Sequence, residues 1–192
     1  HGFRALGVDV NSDTDNPEFC VKFRGNLGKD KRIRFEDYLR ITPSVPGGVA
    51  VRGNSLCVEG VSHGDAFEIA VLAGLPAADG STTRATATFT ATIGNRSPSV
   101  AFQGGTYVLP RTGATGVPVI TVNVDRVRLK ILHINERNLI HEINEGHVTQ
   151  LFGPWNIGKI EDSRGHVVWE GEMDVDGKTN DRVTTAIPIG DV

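Results

Sequence analysis

The stretch LIHEINEGHVTQ, residues 139–150, contains the residue types of a zinc-protease helix. In that motif two histidines lie four positions apart, so that both rings project from one face of the helix toward one metal ion. Four positions after His141 this chain has Glu145, and His147 follows only beyond the helix-ending Gly146. A solvated helix face is therefore predicted here, with Leu139, Ile140 and Ile143 packed inward. Neither a catalytic residue nor a metal ligand is expected.

A third ligand for such a site would have to come from another histidine, and His133 and His166 are the candidates. The alternating pattern assigns His133 to a strand, and the segment SRGHVV assigns His166 to a turn. Nothing in the sequence brings either of them to His141, so no metal site is predicted.

Two oxygen-rich segments, residues 9–18 and 172–181, resemble calcium loops in their alternating carboxylates. A calcium-binding EF-hand loop needs glycine at its sixth position and glutamate at its twelfth. The first segment has Thr14 and Cys20 at those positions. Both segments are predicted to be acidic turns between strands.

Motifs for covalent or cofactor chemistry are missing from the sequence as well. GNSLC, residues 53–57, departs from Gly-x-Ser-x-Gly at its last position. Gly104 and Gly105 lack the spacing and the following helix of a phosphate-binding loop. Trp155 and Trp169 could stack on a sugar, although packing is the commoner role of isolated tryptophans. We expect no enzyme activity and no cofactor.

Charge and hydropathy exclude two classes of partner. The net charge is −3, and the densest basic stretch, residues 28–35, is short and flanked by acids, which argues against nucleic acid. No apolar run approaches the ~18 residues that a membrane helix needs, so no direct membrane insertion by this segment is expected. Because the chain begins with His1 and not with methionine, we expect a processed or excised segment of a longer protein.

Alternation of apolar and polar residues dominates the chain and predicts β-strands. Seven runs separated by turn residues precede residue 95: RALGVDV, FCVKFRG, DYLRITP, GVAVRGN, SLCVEGV, AFEIAVLAGL and RATATFTATIG. After a linker at Asn95–Pro98 the pattern resumes with SVAFQGGTYVLPR, VPVITVNVDRVRLKILHI, HVVWEGEMDV and RVTTAIPI. The run from Val117 to Ile134 exceeds one ordinary strand and is predicted to form two, joined near Asn123–Arg126.

One segment departs from this alternation. ERNLIHEINEG, residues 136–146, places Leu139, Ile140 and Ile143 at helical spacing and ends on glycine. The sequence therefore predicts an all-β fold of two consecutive antiparallel β-sandwich domains, residues 1–95 and 98–192, with one short helix in the second.

The two cysteines lie in strand-like runs, Cys20 in EFCVKF and Cys57 in SLCVEG. Two interpretations follow from the pattern alone. They are either buried thiols that act as small apolar side chains, or a disulfide that joins two strands and requires an oxidising compartment.

A series of short motifs occurs in the order found in one known family. These motifs are VEGVSHG, AGLPAADG, RSPSVAF, YVLPRTG, PVITVNVD, ERNLI, VVWEGEMDV and RVTTAIPI. In them the chain resembles the N-terminal macroglobulin-like domains of bacterial alpha-2-macroglobulins, from about Leu56 to Ile189, with looser agreement before Leu56. The resemblance implies consecutive macroglobulin (Ig-like) β-sandwiches.

The resemblance also implies what the parent protein does. Such proteins are large periplasmic protease inhibitors, commonly anchored to the inner membrane, in which cleavage of a bait region makes the molecule collapse around the protease. Many members capture the protease through a Cys-Gly-Glu-Gln thioester. In this chain Cys20 is followed by VKF and Cys57 by VEG, so neither is the thioester cysteine. The expected role of this chain is a scaffold. Its expected partners are neighbouring domains of the same large chain, and target proteases are met only through the full-length protein.

Two further expectations depend on the resemblance. A periplasmic location favours a structural disulfide between Cys20 and Cys57. Further strands are expected after Val192, so the second domain is expected to be truncated at its C-terminus.

Two other functions compete with the scaffold hypothesis. The first is an Ig-like binding module of an adhesin or a carbohydrate-binding surface protein that uses its loops or tryptophans. The second is a hydrolase that uses the region around His141, which would require bound metal.

Overall fold

A computed structural model describes residues 2–104, 116–144, 158, 160–161 and 165–188 of the chain. The chain divides into two compact units, His1–Arg96 and Ser97–Val192. The first unit contains the strands β1 (Arg4–Asn11), β2 (Glu18–Arg24), β3 (Leu39–Thr42), β4 (Val49–Arg52), β5 (Ser55–Val58), β6 (Ala66–Val71) and β7 (Ala87–Thr92). The described part of the second contains β8 (Ser99–Phe102), β9 (Val117–Val122), β10 (Arg126–Ile134), α1 (Glu136–Asn144), β11 (Gly165–Asp174) and β12 (Arg182–Ile187).

The structure confirms the all-β prediction with antiparallel sheets and a short helix. All seven strands predicted for the first half are present, and the run Val117–Ile134 forms β9 and β10. A 3-10 turn at Phe35–Tyr38 and helical backbone at Ile160 and Glu161 were not predicted. The 3-10 turn is four residues long, too short to show a helical period in the sequence.

The first unit is a sandwich of two antiparallel sheets, ordered β1-β2-β5-β4 and β3-β6-β7. Strand β2 shows why the sheets pack: Phe19, Val21 and Phe23 are completely buried, whereas the residues between them lie on the other face of the sheet. The rings of Phe19 and Phe67 are 5.6 Å apart and bring the two sheets into contact. The alternation in the sequence is thus the signature of one shared apolar core.

A disulfide between Cys20 and Cys57 joins the adjacent strands β2 and β5 of the four-stranded sheet. The cysteines are register partners, and their Cα atoms are 4.0 Å apart. The neighbouring pairs Phe19–Val58 and Val21–Leu56 place their side chains in the core, so the bridge lies on the opposite face of the sheet. It therefore fixes the β2–β5 register and does not tie the two sheets together.

In the second unit, the described strands form a three-stranded sheet, β12-β9-β8, and a two-stranded sheet, β10-β11, both antiparallel. The central strand β9 contributes the buried residues Val119, Thr121 and Val122. The edge strand β8 is exposed along its length.

We predict that loss of the disulfide lowers the free energy of unfolding by about 3–4 kcal/mol, because the bridge restricts the unfolded chain over a sequence separation of 37 residues. Urea unfolding of the double variant Cys20→Ala/Cys57→Ala measures this loss, and reduced wild-type protein is the matched control without a change of side chain. Two reactive thiols in denatured, unreduced protein would contradict the bridge, and an equal stability of oxidised and reduced protein would contradict its energetic role.

Candidate functional site

The acidic segment 9–18 is matched by basic side chains. Asp9 forms an ion pair with Lys22, and Asp15 forms one with Arg96. A third carboxylate, Glu18, accepts a hydrogen bond from Arg52 at 2.5 Å. These carboxylates are neutralised by the protein itself. Within the ranges that the structure describes, no group of three or more His, Cys, Asp or Glu side chains is arranged to hold a metal ion.

The second acidic segment begins in strand β11 as part of a charge ladder, which we define as Arg126, Arg128, Lys130, Glu170, Glu172 and Asp174. These residues alternate along the paired strands β10 and β11 and so share one face. Arg126 Nε donates to Asp174 Oδ1 at 2.7 Å, and Arg128 Nη2 donates to Glu170 Oε1 at 2.6 Å. Each exposed pair contributes less than about 1 kcal/mol, so the ladder is a charged sheet face in which no single pair dominates the stability.

Hydrogen bonding within and beside the ladder stabilises its cations. Lys130 Nζ donates to both carboxylate oxygens of Glu161 at 2.9 and 3.0 Å, which raises the pKa of the lysine above its ordinary value. The hydrogen bond to Asp174 likewise raises the pKa of Arg126. Neither group is poised to release a proton near neutral pH.

The zinc-protease-like stretch falls largely outside the described residues. His141 lies within α1, but its side chain is not among those described, and Glu145, Gly146 and His147 follow the described part of the helix. The prediction of a solvated face therefore stays a prediction. Leu139, Ile140 and Ile143, which we expected to pack inward, are 40%, 64% and 54% exposed in the described structure, so that expectation was wrong.

The two tryptophans were the candidates for a binding platform. Trp155 lies outside the described residues. The indole of Trp169 lies directly over Gly171, because a Cβ built on that glycine would be 2.6 Å from the ring. An aromatic ring over a strand glycine is a known way of covering a gap on a sheet face. Trp169 thus has a packing role, although 39% of it remains exposed.

The basic stretch 28–35 is matched by nearby carboxylates. Arg32 donates through Nε and Nη2 to Asp30, at 3.2 and 2.8 Å, and Arg34 lies 3.8 Å from Asp37. The hydrogen bonds from Arg32 hold the pKa of Asp30 below its ordinary value of 3.8. This stretch is a self-neutralised turn and does not form a basic stripe.

A pair of histidines that the sequence analysis did not connect lies where β10 and β11 meet. His133 and His166 are register partners, and their ring centroids are 5.1 Å apart. The assignment of His166 to a turn was wrong, because β11 already begins at Gly165. The signal was present in the sequence as the alternating run HVVWEGEMDV, but pairing between residues so far apart is set by the fold.

No helix among the described residues is long and apolar enough to cross a membrane.

These features define a chain of antiparallel β units with a cross-strand disulfide. Among the described residues, no set of side chains is arranged for catalysis. Residues 101–192 match the family described as the bacterial alpha-2 macroglobulin MG2 domain. The curated protein Alpha-2-macroglobulin of Xylella fastidiosa (strain 9a5c) is 29% identical over 129 residues, which cover 64% of this chain and 8% of that protein.

Solved structures show the same fold. Salmonella alpha-2-macroglobulin reacted with methylamine is 18% identical, with a TM-score of 0.67, and the match covers 100% of this chain and 12% of that one. Native alpha-2-macroglobulin of Escherichia coli spanning domains MG0-NIE-MG1 is 18% identical, with a TM-score of 0.50, over 98% of this chain and 61% of that one.

Together these findings place the fold among macroglobulin-like β domains. Residues 101–192 are thus similar to the MG2 domain of bacterial alpha-2-macroglobulins, and the chain spans 8% of the length of the Xylella relative.

We predict that Arg32→Gln raises the pKa of Asp30 toward 3.8, because the side-chain hydrogen bonds that favour its charged form are lost while the one from the backbone N–H remains. Since the folded pKa is depressed, the stability that this carboxylate contributes is present above its unfolded pKa and is lost as pH falls through the folded value. Carboxyl NMR titration measures the shift. Asp79, whose pKa is lowered by Ser81, is the internal control. An unchanged Asp30 titration, or an equal shift at Asp79, would contradict the assignment.

Proposed function

We propose that this chain is a scaffold segment of a bacterial alpha-2-macroglobulin that inhibits a broad range of proteases in the periplasm. The observation that carries the proposal is the family relationship over residues 101–192, together with likeness in fold over the whole chain to alpha-2-macroglobulins. In this proposal the chain holds neighbouring domains of the same large protein in place. It contacts target proteases only as part of that protein.

The geometry of the described residues supports a structural role. Carboxylates that looked available for chemistry are bound by arginines and lysines, as with Glu18 and Arg52 or Asp174 and Arg126. The ladder side chains Arg126, Arg128 and Asp174 are exposed, and the largely buried side chains of Glu18 and Arg96 are paired with opposite charges. The core of the first unit is apolar. Sites of catalysis are expected instead to bury and perturb their titratable groups.

The disulfide supports the proposed compartment. Disulfides persist in oxidising environments such as the bacterial periplasm and are rare where thiols are kept reduced. Cys20 and Cys57 are paired across adjacent strands. We propose periplasmic localisation, with the parent protein anchored to the inner membrane.

The position of the same disulfide argues against the Ig-like binding module. In antibody-type domains the conserved bridge runs between the two sheets and packs against a buried tryptophan. Here the bridge joins neighbours within one sheet, and the first unit contains no tryptophan.

We predict that the isolated 192-residue chain neither cleaves a general peptide substrate nor slows trypsin-like or elastase-like proteases at modest molar excess. A chain of 20.6 kDa is too small to enclose a protease, which is the physical requirement of a trap. The parent protein is expected to slow hydrolysis of a large protein substrate while a small peptide is still cleaved, since only the small substrate reaches an enclosed enzyme.

The control is the parent protein after heat denaturation, assayed at the same mass. Stoichiometric inhibition by the isolated chain would overturn the scaffold role. A parent protein that leaves cleavage of large substrates unchanged would overturn the inhibitor assignment. Zinc-dependent proteolysis abolished by His141→Ala would favour the hydrolase instead.

A further inference from the structure

The rings of His133 and His166 have the centroid separation of a two-imidazole chelate. In a site with metal–nitrogen distances of ~2.0–2.1 Å, each ring centroid lies roughly 3.2 Å from the metal. Bond angles between square-planar and tetrahedral values then place the two centroids about 4.5–5.2 Å apart. The observed separation is 5.1 Å, with the rings inclined at 49°.

Both rings are accessible and chemically uncommitted within the described part of the chain. The two residues are exposed, and no hydrogen bond or ion pair of either imidazole is found among the described residues. This contrasts with His63, whose Nε2 lies 2.8 Å from the carbonyl oxygen of Ser12. The ring nitrogens of the pair are therefore available to an ion from solvent.

A β-bulge creates the pair. From Arg126 to Ile131 the register of β10 with β11 is regular, and Ile131 lies opposite Trp169. The register then shifts, so that Leu132 lies opposite Val167, and Val168 is the extra residue. Continued without the bulge, the regular register would place His166 opposite Ile134, on the face of the sheet opposite to His133.

A glycine beside the pair keeps the strands close. Gly165 pairs with Ile134, and a Cβ built there would lie 2.9 Å from the carbonyl oxygen of His133. Any other residue would push the beginning of β11 away from β10. Together the bulge and the glycine hold two imidazoles side by side on adjacent strands.

From this geometry we infer that His133 and His166 form a binding site for a divalent transition-metal ion of the zinc, copper and nickel group. Imidazole nitrogen is a preferred ligand of these ions, whereas calcium and magnesium prefer oxygen. Two protein ligands are described, so water completes the coordination. The inference is independent of the proposed inhibitor function.

The test uses Zn²⁺ as the probe and the full 192-residue chain. Calorimetric titration is expected to show one equivalent bound, and NMR of the imidazole nitrogens is expected to show His133 and His166 shifting together. His133→Gln and His166→Gln should each weaken binding by at least about tenfold, because a direct ligand contributes no less than the outer-shell partners whose loss costs about 10–100-fold.

Matched variants separate the pair from other imidazoles. His63→Gln and His1→Gln each remove one ring and should leave the affinity unchanged. His1 is included to test for chelation by its ring and the terminal amine. Deletion of Val168 retains both histidines but shifts the register, so it should abolish binding, whereas Val168→Ala should preserve it. Circular dichroism and thermal unfolding verify that each variant is folded.

Binding that survives both His133→Gln and His166→Gln, or that is lost only with a control histidine, would overturn the site. Resonances of the two rings that respond separately, at different zinc concentrations, would also overturn it. These results do not depend on the deletion variant, so the inference remains testable if that variant does not fold.

Discussion

Strand register is the constraint on which both units depend, because a slip of one residue turns every side chain of a strand to the other face of its sheet. In the first unit a covalent bond enforces that register. With Cys20 opposite Cys57, the flanking pairs Phe19–Val58 and Val21–Leu56 must lie side by side in the core. One bond on the outer face thus places four apolar side chains on the inner face. The cost of a wrong register is the exposure of that entire set.

The second unit achieves register by a different means. The three cations of the ladder lie on β10 and its three carboxylates lie on β11, so every cation faces a carboxylate only in the observed register. Individually these exposed pairs contribute little to stability, yet several together discriminate between registers. Beyond Ile131 the extra residue Val168 resets the alignment, so one strand pair has two registers in succession. The first serves the charge ladder, and the second brings His133 to His166.

Much of the fold was predictable from sequence because burial on one face imposes a period of two that is visible locally. Strand β2 is an example, with Phe19, Val21 and Phe23 buried and the intervening residues on the other face. What lies across from a residue is not local. The pattern alone left Cys20 and Cys57 as either thiols or a bridge, and it separated His133 from His166 as strand and turn. Neither the cysteine pairing nor the histidine pairing can be predicted without the register of the two strands involved. The β-bulge that sets the register of the histidines has no distinct residue signature. The inward packing predicted for the helix failed for the same reason, since periodicity identifies an apolar face but not what that face contacts.

The features that stabilise the fold and the histidine pair are physically separable. The core of the first unit, its disulfide and the charge ladder do not involve either imidazole. An exposed pair at a strand end can therefore change its occupancy with little effect on the rest of the fold. The converse does not hold, because the pair exists only in the bulged register. An ion that binds only the bulged register stabilises that register. The stabilising free energy grows with the logarithm of the free ion concentration once this exceeds the dissociation constant. Ion binding is consequently coupled to the backbone only at residues 131–134 and their partners in β11. There, one extra residue in β11 decides which side chains of the two strands lie opposite each other.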